Sequence, residues 1–404
     1  MTSLKRILEI NSSTVGSTGK IMFMIAEKAR DCGYEVYTAS AKHRNEKKID
    51  RNDHIYIGGI VGKKLSLFLS KNTGYNGCFS ILATWRFLRR VDRLKPELIH
   101  FHNLHNSYIN LKMLFRYVKR HNVPIVWTLH DCWSFTGHCP YFDFIGCNKW
   151  KTGCGDCPQL SRYPFSKKDR SREMYENKRN WFTGCNMTIV TPSDWLGGIV
   201  KESFLKDYEV VTINNGINLD VFKPRTSDFR ENYGLGGKFI ILGVANSWEP
   251  RKGLDVFIEL RRRLDSSFSI VVIGVNEHQK RELPEGIIAI SRTENQQQLA
   301  EIYSAADVFV NPTREENFPT TNLEALACGT GVITFRTGGS PEMLDESCGI
   351  VLEKEDIDGI EQNVRRLRQS PFDRTLCRNK ALHYGMNESY VKYIKLYANL
   401  LKPF

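Results

Sequence analysis

The sequence contains no apolar run as long as the roughly 18 residues that suggest a membrane-spanning helix. Residues 1–6 lead directly into a short apolar stretch, without the longer hydrophobic segment of a signal peptide. Tandem repeats, low-complexity runs and coiled-coil heptads are also missing. With 41% hydrophobic and 25% charged residues, the chain is neither disordered nor collagen-like. We therefore expect a folded protein of the cytoplasm.

The length of the chain indicates its number of domains, and its charge indicates the kind of partner it binds. A chain of 404 residues exceeds what one hydrophobic core usually supports, so two domains are expected. The 57 Lys and Arg residues outnumber the 45 Asp and Glu residues, which gives a formal net charge of +12. Such a charge suits a partner that carries phosphate: a nucleotide, a nucleic acid or an anionic lipid. The charge alone does not choose among them.

Short apolar strands alternate with amphipathic helical stretches along both halves of the chain, which is typical of parallel sheets covered on both faces. We predict an α/β protein of two Rossmann-like, doubly wound domains, residues 1–212 and 213–384, that face each other across a cleft. Ligands of such sheets bind at the carboxyl ends of the strands, so the cleft is the expected active site. Residues 385–404 are predicted to form a helix that packs back on the first domain. Its apolar stripe consists of Tyr390, Ile394, Tyr397 and Leu401.

The strongest local pattern is a loop with a carboxylate on either side, Glu316 and Glu324, which leads into a predicted helix near 321–328. The free N–H groups and the dipole at a helix N-terminus favour an anion. Carboxylates beside that anion can accept hydrogen bonds from the hydroxyls of the group that carries it, which suggests a sugar nucleotide. The alternative is that Thr321 and Glu324 form a capping box, which needs no ligand.

Other motifs occur in order along the chain: Gly16-Ser17-Thr18-Gly19, Thr128-Leu129-His130-Asp131, Asn215-Gly216-Ile217-Asn218, and Gly338-Gly339-Ser340-Pro341-Glu342 after the glutamate pair. Together with that pair they resemble glycosyltransferase family 4, whose members are retaining enzymes of the GT-B fold. The chain is similar to bacterial glycosyltransferases that build capsule, O-antigen, lipopolysaccharide or exopolysaccharide. The resemblance implies a nucleotide diphosphate sugar as donor and a saccharide or polyprenyl-linked saccharide as acceptor.

The resemblance also assigns roles at the donor end. It implies that Glu316 holds hydroxyls of the donor sugar and that Glu324 holds the nucleotide ribose. Arg251 and Lys252 would neutralise charge on the leaving phosphate, the alternative being a solvated helix start. The remaining donor-binding residues implied are the N–H groups of Phe318, Thr320 and Thr321 and the glycine-loop residues Gly16, Ser17 and Gly19. Arg292, in the loop 291–293, is a separate candidate that we expect to lie against the base. For the glycine loop alone, a simple turn is the alternative reading.

One position departs from the family pattern. Similar enzymes often carry an arginine six residues before the phosphate-binding lysine, and this chain has Asn246 there. We expect Arg251 to substitute for that arginine. Otherwise the affinity for the donor and the help given to the leaving group would be reduced.

The first domain offers candidate residues at the ends of two predicted strands. In similar enzymes the histidine that corresponds to His130 contacts the donor sugar, and Asp131 would either orient it or cap the next segment. The residues that follow the preceding strand, His102, Asn103 and His105, are placed for an acceptor pocket. A metal site is the alternative for these imidazoles, and we expect a polar pocket instead.

Cysteines are concentrated in an insertion at about 139–165 that interrupts the alternating pattern. The four candidate ligands of a structural zinc ion are Cys139, Cys147, Cys154 and Cys157, with His138 as a substitute. The alternative is a set of reduced thiols packed against Trp150 and Phe142. We expect no catalytic metal or other cofactor, because Asp356 and Asp358 are better explained as acids at a helix start.

The favoured function is transfer of a sugar, with retention, from a nucleotide diphosphate sugar in surface polysaccharide biosynthesis. Alternatives are another GT-B enzyme, namely a nucleotide-sugar epimerase or a phosphorylase, and a nucleic-acid-binding protein. The dispersed basic residues and the lack of an aromatic-basic RNA motif argue against a nucleic acid partner. A helix over residues 80–90 leaves two options open: Trp85 and Leu88 lie in the core, or they contact the inner face of an anionic membrane.

Overall fold

A computed structural model describes residues 4–42 and 52–402. Residues 1–3 and 403–404, which belong to the start and to the terminal helix considered above, lie outside the described residues. The chain divides into two compact units. The first runs up to Ile213 and takes in the chain from Tyr390 onward, and the second comprises Asn214–Ser389.

The first unit is built on a parallel sheet, seven-stranded over the described residues. Its strands are β1 (Arg6–Asn11), β2 (Glu35–Ser40), β3 (His54–Tyr56), β4 (Leu98–Phe101), β5 (Ile125–Thr128), β6 (Met187–Thr191) and β7 (Glu209–Thr212). Their order is β3-β2-β1-β4-β5-β6-β7. Every residue of β4, β5 and β6 is buried, as expected for parallel strands covered by helices on both faces.

The helices of this unit are α1 (Gly16–Asp31), α2 (Ile60–Thr73), α3 (Ile81–Leu94), α4 (Leu111–His121), α5 (Ser171–Phe182) and α6 (Asp194–Glu202). Helix α4 shows why they form. The Asn110 side chain accepts a hydrogen bond from the Met113 N–H at 3.0 Å and caps the helix. Leu111, Leu114, Phe115 and Val118 then form one buried stripe.

The second unit repeats this architecture with a parallel sheet of six strands in the described residues. The strands are β8 (Phe239–Val244), β9 (Phe268–Ile273), β10 (Ile287–Ile290), β11 (Val308–Asn311), β12 (Val332–Phe335) and β13 (Gly349–Leu352). Their order is β10-β9-β8-β11-β12-β13. The prediction of two doubly wound α/β sheets is confirmed.

The helices that begin in the second unit are α7 (Phe229–Asn232), α8 (Leu254–Arg263), α9 (Glu277–Glu282), α10 (Gln296–Ala305), α11 (Thr320–Ala327), α12 (Ile357–Gln369), α13 (Arg374–Leu382) and α14 (Met386–Leu400). At α12, the Asp356 carboxylate accepts a hydrogen bond from the Gly359 N–H at 2.8 Å. Asp356 is therefore a helix cap, as the sequence indicates.

From Tyr390 onward, helix α14 packs within the first unit. Tyr390, Tyr397 and Leu401 of the predicted stripe are buried, whereas Ile394 is only partly buried and Tyr393 is buried in addition. The Tyr397 hydroxyl hydrogen-bonds to Nδ1 of His100 at 2.6 Å. The terminal helix thereby reaches the polar interior at the centre of the first sheet.

Candidate active site

Each sheet has one place where its strand order reverses direction. In the second sheet this switch point lies between β8 and β11, and in the first it lies between β1 and β4. At such a point the loops that follow the two strands diverge and leave a crevice where α/β proteins bind ligands. The residues predicted for catalysis and donor binding fall mainly on these loops.

At the switch point of the second sheet, the Lys252 ammonium group donates a short hydrogen bond to the Glu316 carboxylate. Lys252 follows β8 and Glu316 follows β11. Burial alone would raise the pKa of Glu316, but the charge and hydrogen bond of Lys252, the Asn317 N–H and the charge of Arg251 together lower it. Glu316 is therefore an ionised acceptor held beside two cations.

Arg251 lies in a 3-10 turn, Pro250–Lys252, before α8. Its guanidinium donates to the Glu315 carbonyl oxygen at 3.2 Å and to the Glu249 carboxylate at 3.0 Å. The side chains of Arg251 and Lys252 are 23% and 21% exposed. Both cations donate hydrogen bonds to the loop after β11.

Arg314, which the sequence analysis missed, holds these two loops together. Its guanidinium pairs with Asp255 at 2.7 and 2.8 Å and with Glu355, and it also donates to the Pro250 carbonyl oxygen at 2.9 Å. Its backbone N–H donates to the Arg251 carbonyl oxygen at 2.7 Å. Arg314 is 7% exposed. It therefore positions the turn that carries Arg251 and Lys252.

Gly338 explains how the loop after β12 packs on Glu316. Its φ is +54°, and a Cβ atom built there would lie 1.8 Å from the Glu316 carbonyl oxygen. The next residue, Gly339, donates its N–H to the Asn317 carbonyl oxygen at 2.8 Å. Only glycine permits both the left-handed backbone and this close approach. The Gly338-Gly339 motif thus fixes the backbone on which Glu316 lies.

Helix α11 begins where the anion site is predicted. Pro319 is its N-cap residue, and no side chain caps it. Thr321 is the second helical residue, so the capping box with Glu324 is not formed and that alternative is wrong. The N–H groups of Thr320 and Thr321 belong to the first turn, where helices have no internal acceptors. Glu324 instead accepts a hydrogen bond from the buried Tyr303 hydroxyl at 3.4 Å.

One predicted position, Arg292, lies apart from the Lys252–Glu316 pair. Arg292 is exposed after β10, an edge strand separated from β8 by β9. Asn246 is exposed in the loop after β8. Phe318 is buried, so only its backbone is a candidate for donor contact.

At the switch point of the first sheet, Asn11 ties the glycine loop to the loop after β4. Its Oδ1 accepts from the Asn103 N–H at 3.2 Å, and its Nδ2 donates to the Thr18 hydroxyl at 3.2 Å. Gly16 and Ser17 are exposed, whereas Gly19 is buried and a Cβ atom there would lie 2.6 Å from the Thr14 carbonyl carbon. Gly16 and Ser17 are therefore accessible at the surface of the loop, whereas Gly19 allows the start of α1 to pack closely on the Thr14 backbone.

A buried chain of polar groups supports His130. Nε2 of His130 lies 3.1 Å from Nδ1 of His102, and Nε2 of His102 lies 3.4 Å from the Glu9 carboxyl group. Burial raises the pKa of Glu9, and it lowers the pKa of His130 to about 4 and that of His102 well below its usual range. His130 is thus a neutral imidazole with a fixed orientation. His102 is 1% exposed, so its assignment as an acceptor contact is corrected to support of His130.

Asp131 serves the neighbouring loop. It accepts a hydrogen bond from the Trp133 N–H at 2.9 Å and lies 3.1 Å from Nε2 of His105. Nδ1 of His105 lies 2.7 Å from the Tyr163 hydroxyl. Asp131 therefore anchors the backbone at the start of the next segment. Its charge also raises the pKa of His130, against the larger effect of burial.

Glu9, His100 and His102 form the single group of three donor side chains with ligand atoms within 4.8 Å of one another in the described ranges. Both nitrogens of His100 are engaged, Nδ1 with Tyr397 at 2.6 Å and Nε2 with Thr128 at 2.8 Å. The geometry is that of a satisfied buried hydrogen-bond network.

A second surface lies on α2 and α3, which border a groove of about 1030 Å³. Leu65, Leu82 and Trp85 line it with exposed apolar surface. Its basic residues are Lys63, Arg86, Arg89, Arg90 and Arg93. Leu88 is buried while Trp85 is 52% exposed, so only Leu88 of the two belongs to the core.

Comparison with known proteins places the chain in a family. Residues 238–370 match the model of glycosyl transferases group 1, and residues 19–221, half of the chain, match that of Glycosyltransferase Family 4. The chain belongs to Glycosyltransferase Family 4. It is therefore a glycosyltransferase, and the recognition made from the motifs is confirmed.

Relatives of this Family 4 protein agree with that assignment. WcaC of Escherichia coli (strain K12), named as a colanic acid biosynthesis glycosyl transferase, is 29% identical over 76% of this chain and 77% of its own length. Sucrose-phosphate synthase from Thermosynechococcus elongatus matches the fold with a TM-score of 0.73 at 17% identity, covering 98% of this chain and 99% of that one. Anabaena HepE in complex with UDP-glucose matches with a TM-score of 0.67 at 14% identity, covering 98% and 99%. The fold is GT-B.

None of these comparisons supports the epimerase, phosphorylase or nucleic-acid-binding alternatives. Across residues 4–42 and 52–402, no helix combines the length and the apolar character needed to span a bilayer.

Proposed function

We propose that this glycosyltransferase transfers a sugar, with retention of anomeric configuration, from a nucleotide diphosphate sugar to a saccharide or polyprenyl-linked saccharide in bacterial surface polysaccharide synthesis. The observation that carries the donor assignment is the Lys252–Glu316 pair at the switch point of the second sheet, beside the uncapped N-terminus of α11. The name of WcaC supports the polysaccharide assignment, and the HepE complex supports the donor class.

Each group at or near the Lys252–Glu316 pair suits one part of the donor. The N–H groups at the start of α11 bind the diphosphate, and Arg251 and Lys252 neutralise the charge that grows on it as it leaves. The ionised Glu316 accepts hydrogen bonds from sugar hydroxyls, and Glu324 accepts them from the ribose. Arg251 lies in the same turn as Lys252 and takes the role of the arginine that Asn246 replaces.

Retention is proposed to follow front-face attack. The bond between the anomeric carbon and the phosphate oxygen breaks, the acceptor oxygen bonds to that carbon on the same face, and the acceptor proton passes to the departing phosphate. This route needs no carboxylate nucleophile and relies on positioning and charge neutralisation. His130, held neutral and oriented, is the proposed catalytic histidine of the first unit.

A thermal-shift panel of UDP-, GDP- and ADP-sugars tests the donor assignment. One nucleotide class should raise the melting temperature, because a ligand stabilises the state that binds it. Lys252→Met should abolish that shift. Lys380→Met removes another lysine of the same unit that pairs with a carboxylate, Asp345 at 2.8 Å, and should preserve it. No shift with any sugar nucleotide, or an equal shift in both variants, contradicts the donor site.

We further propose that the groove of α2 and α3 contacts an anionic phospholipid leaflet at the inner face of the membrane, where a polyprenyl-linked acceptor would be presented. The argument is charge complementarity: guanidinium and ammonium groups surround exposed Leu82 and Trp85, and such a surface suits anionic headgroups above acyl chains.

Vesicle sedimentation tests this contact. The chain should bind vesicles that contain phosphatidylglycerol, more weakly as salt increases. Trp85→Ser should reduce binding, while Leu376→Ser, at a position 46% exposed in the second unit, should not. Equal binding to vesicles of phosphatidylcholine alone removes the proposal.

A further inference from the structure

The segment between β5 and α5, residues 129–170, has a defined structure without helices or strands in the described chain. It contains two 3-10 turns, Trp133–Phe135 and Lys149–Lys151. Phe142 and Trp150 stack with ring centroids 4.8 Å apart, and both are buried at the edge of the first unit's hydrophobic core. A segment of this kind commonly depends on a metal ion or a disulfide for its fold.

One small cavity in this segment is lined by the four clustered cysteines and by His138. All of these cysteines are thiols. The thiols of Cys139 and Cys157 hydrogen-bond to each other. Cys147 and Cys154 lie close enough to Cys139 to interact with it electrostatically, and Cys154 interacts in the same way with Cys157. The cavity therefore gathers five side chains of the types that bind zinc.

His138 adds an independent sign of a ligand. It is 6% exposed, and its Nε2 atom has no hydrogen-bond partner. The ring hydrogen-bonds to the backbone of Gln159, and this bond must be made by Nδ1. An imidazole whose Nδ1–H is bound to a carbonyl oxygen presents a lone pair on Nε2, which is the arrangement seen in metal-ligating histidines.

The backbone holds the Cys154–Cys157 turn in place. The Gly137 N–H donates to Sγ of Cys154 at 3.2 Å, and the Cys157 N–H donates to the Asp169 carboxylate at 2.7 Å. The Lys149 ammonium donates to the Gly155 and Asp156 carbonyl oxygens at 2.9 and 3.0 Å. Hydrogen bonds with three neighbouring residues therefore hold the turn in place.

A buried cation lies beside the cavity. Lys178 is 1% exposed and donates to the carbonyl oxygens of Trp133 and Thr136 at 2.6 and 2.9 Å. Its Nζ atom also lies 3.4 Å from the centroid of the Trp133 indole ring. The ammonium group is therefore held next to the cavity by two carbonyl oxygens and an aromatic face.

We propose that the cysteine insertion binds one structural Zn²⁺ ion through Cys139, Cys154 and Cys157, with His138 or Cys147 as the fourth ligand. In the described residues no three of these donor atoms lie within 4.8 Å of one another. Zinc–sulfur bonds of about 2.3 Å would bring the sulfurs to roughly 4 Å apart, so binding closes the cluster by side-chain rotation.

Metal analysis of the full chain, purified without added metal, tests the site. Mass spectrometry of the digested protein should find one zinc per chain. Cys154→Ser with Cys157→Ser should lose it, as should His138→Ala with Cys147→Ser, which leaves three donors. Cys185→Ser, a partly buried thiol elsewhere in the same unit, should retain it.

Cobalt exchange keeps the test valid if the double variants do not fold. Replacing zinc by Co²⁺ in the unaltered chain should produce the intense absorption of cobalt–thiolate bonds. A chain with substoichiometric zinc and no such absorption overturns the proposal. So does a folded Cys154→Ser, Cys157→Ser variant that keeps a full zinc equivalent.

Discussion

Replacing Gly338 by Ala should separate the position of Glu316 from the stability of the fold. The new Cβ atom would lie 1.8 Å from the Glu316 carbonyl oxygen and 2.7 Å from its carbonyl carbon. Because contacts under 3.0 Å essentially never occur for real Cβ atoms, the backbone of Glu316 must move, by about 1 Å. A misplacement of that size costs on the order of 100-fold in rate, or about 3 kcal/mol of transition-state stabilisation.

Gly237 provides the matched control. It also has a left-handed backbone, with φ of +72°, but a Cβ atom there meets nothing within 4 Å. Both Gly→Ala changes incur the left-handed backbone cost of roughly 1–2 kcal/mol, which a domain with about 5–15 kcal/mol of stability tolerates. Only Gly338→Ala disturbs the donor site.

The assay is steady-state transfer from the sugar nucleotide that stabilises the chain, followed as release of nucleoside diphosphate. Circular dichroism and thermal melting confirm that both variants fold. We expect kcat/KM to fall on the order of 100-fold for Gly338→Ala and to stay within about twofold for Gly237→Ala, because its Cβ would meet only open space. A folded Gly338→Ala enzyme with unaltered kcat/KM would refute the link between this glycine and Glu316.

Three further predictions concern one arginine, one glutamate and a pair of histidines. Arg314→Lys keeps the charge but loses the planar guanidinium that pairs with two carboxylates, so turnover should fall about tenfold or more. The control is Arg336→Lys, at an exposed arginine that pairs with one carboxylate, and it should leave turnover unchanged. Equal turnover in the two variants would exclude a positioning role for Arg314. Because the pKa of Glu316 is lowered in the folded chain, its carboxylate stabilises the fold above the ordinary pKa of 4.5, and this stabilisation is lost as the pH falls through the folded pKa. Glu316→Gln should therefore weaken the dependence of the melting temperature on pH below about pH 4.5. An unchanged dependence contradicts the ion pair. Burial lowers the pKa of His100 to about 3 and that of His130 to about 4, so below about pH 6.5 the unfolded chain binds protons that the folded chain does not. The free energy of unfolding should therefore fall by at least about 1 kcal/mol between pH 6.5 and 4. Denaturant titrations at each pH should show a smaller fall in the variant with both histidines changed to Gln.

The regular elements of the second unit were predictable because their signals are local. The strands β8, β10 and β12 are short runs made almost entirely of apolar residues, and each produces one strand of the alternating pattern on which the prediction rests. Helix α11 begins at Thr320, one residue before the predicted start, because Pro319 takes the N-cap position. That single residue decided against the capping box, which spacing alone could not do.

The site was predictable where a motif carries it and not where distant residues meet. Glu316 and Lys252 were assigned by resemblance, and the structure brings them together. Arg314 escaped notice because its partners lie 41 and 59 residues away in the sequence. Glu9 accepts a hydrogen bond from the Tyr397 hydroxyl, which is 388 residues away in the sequence. The one sequence feature that could have identified Glu9 is its position as a carboxylate inside an apolar strand.

A crystal structure of the chain with its sugar nucleotide tests the central claim most directly. The account predicts the diphosphate on the N–H groups of Thr320 and Thr321 within reach of Lys252, and sugar hydroxyls on the Glu316 carboxylate. Density for the diphosphate anywhere else on the chain, with Lys252 and Glu316 still bonded only to each other, would contradict it.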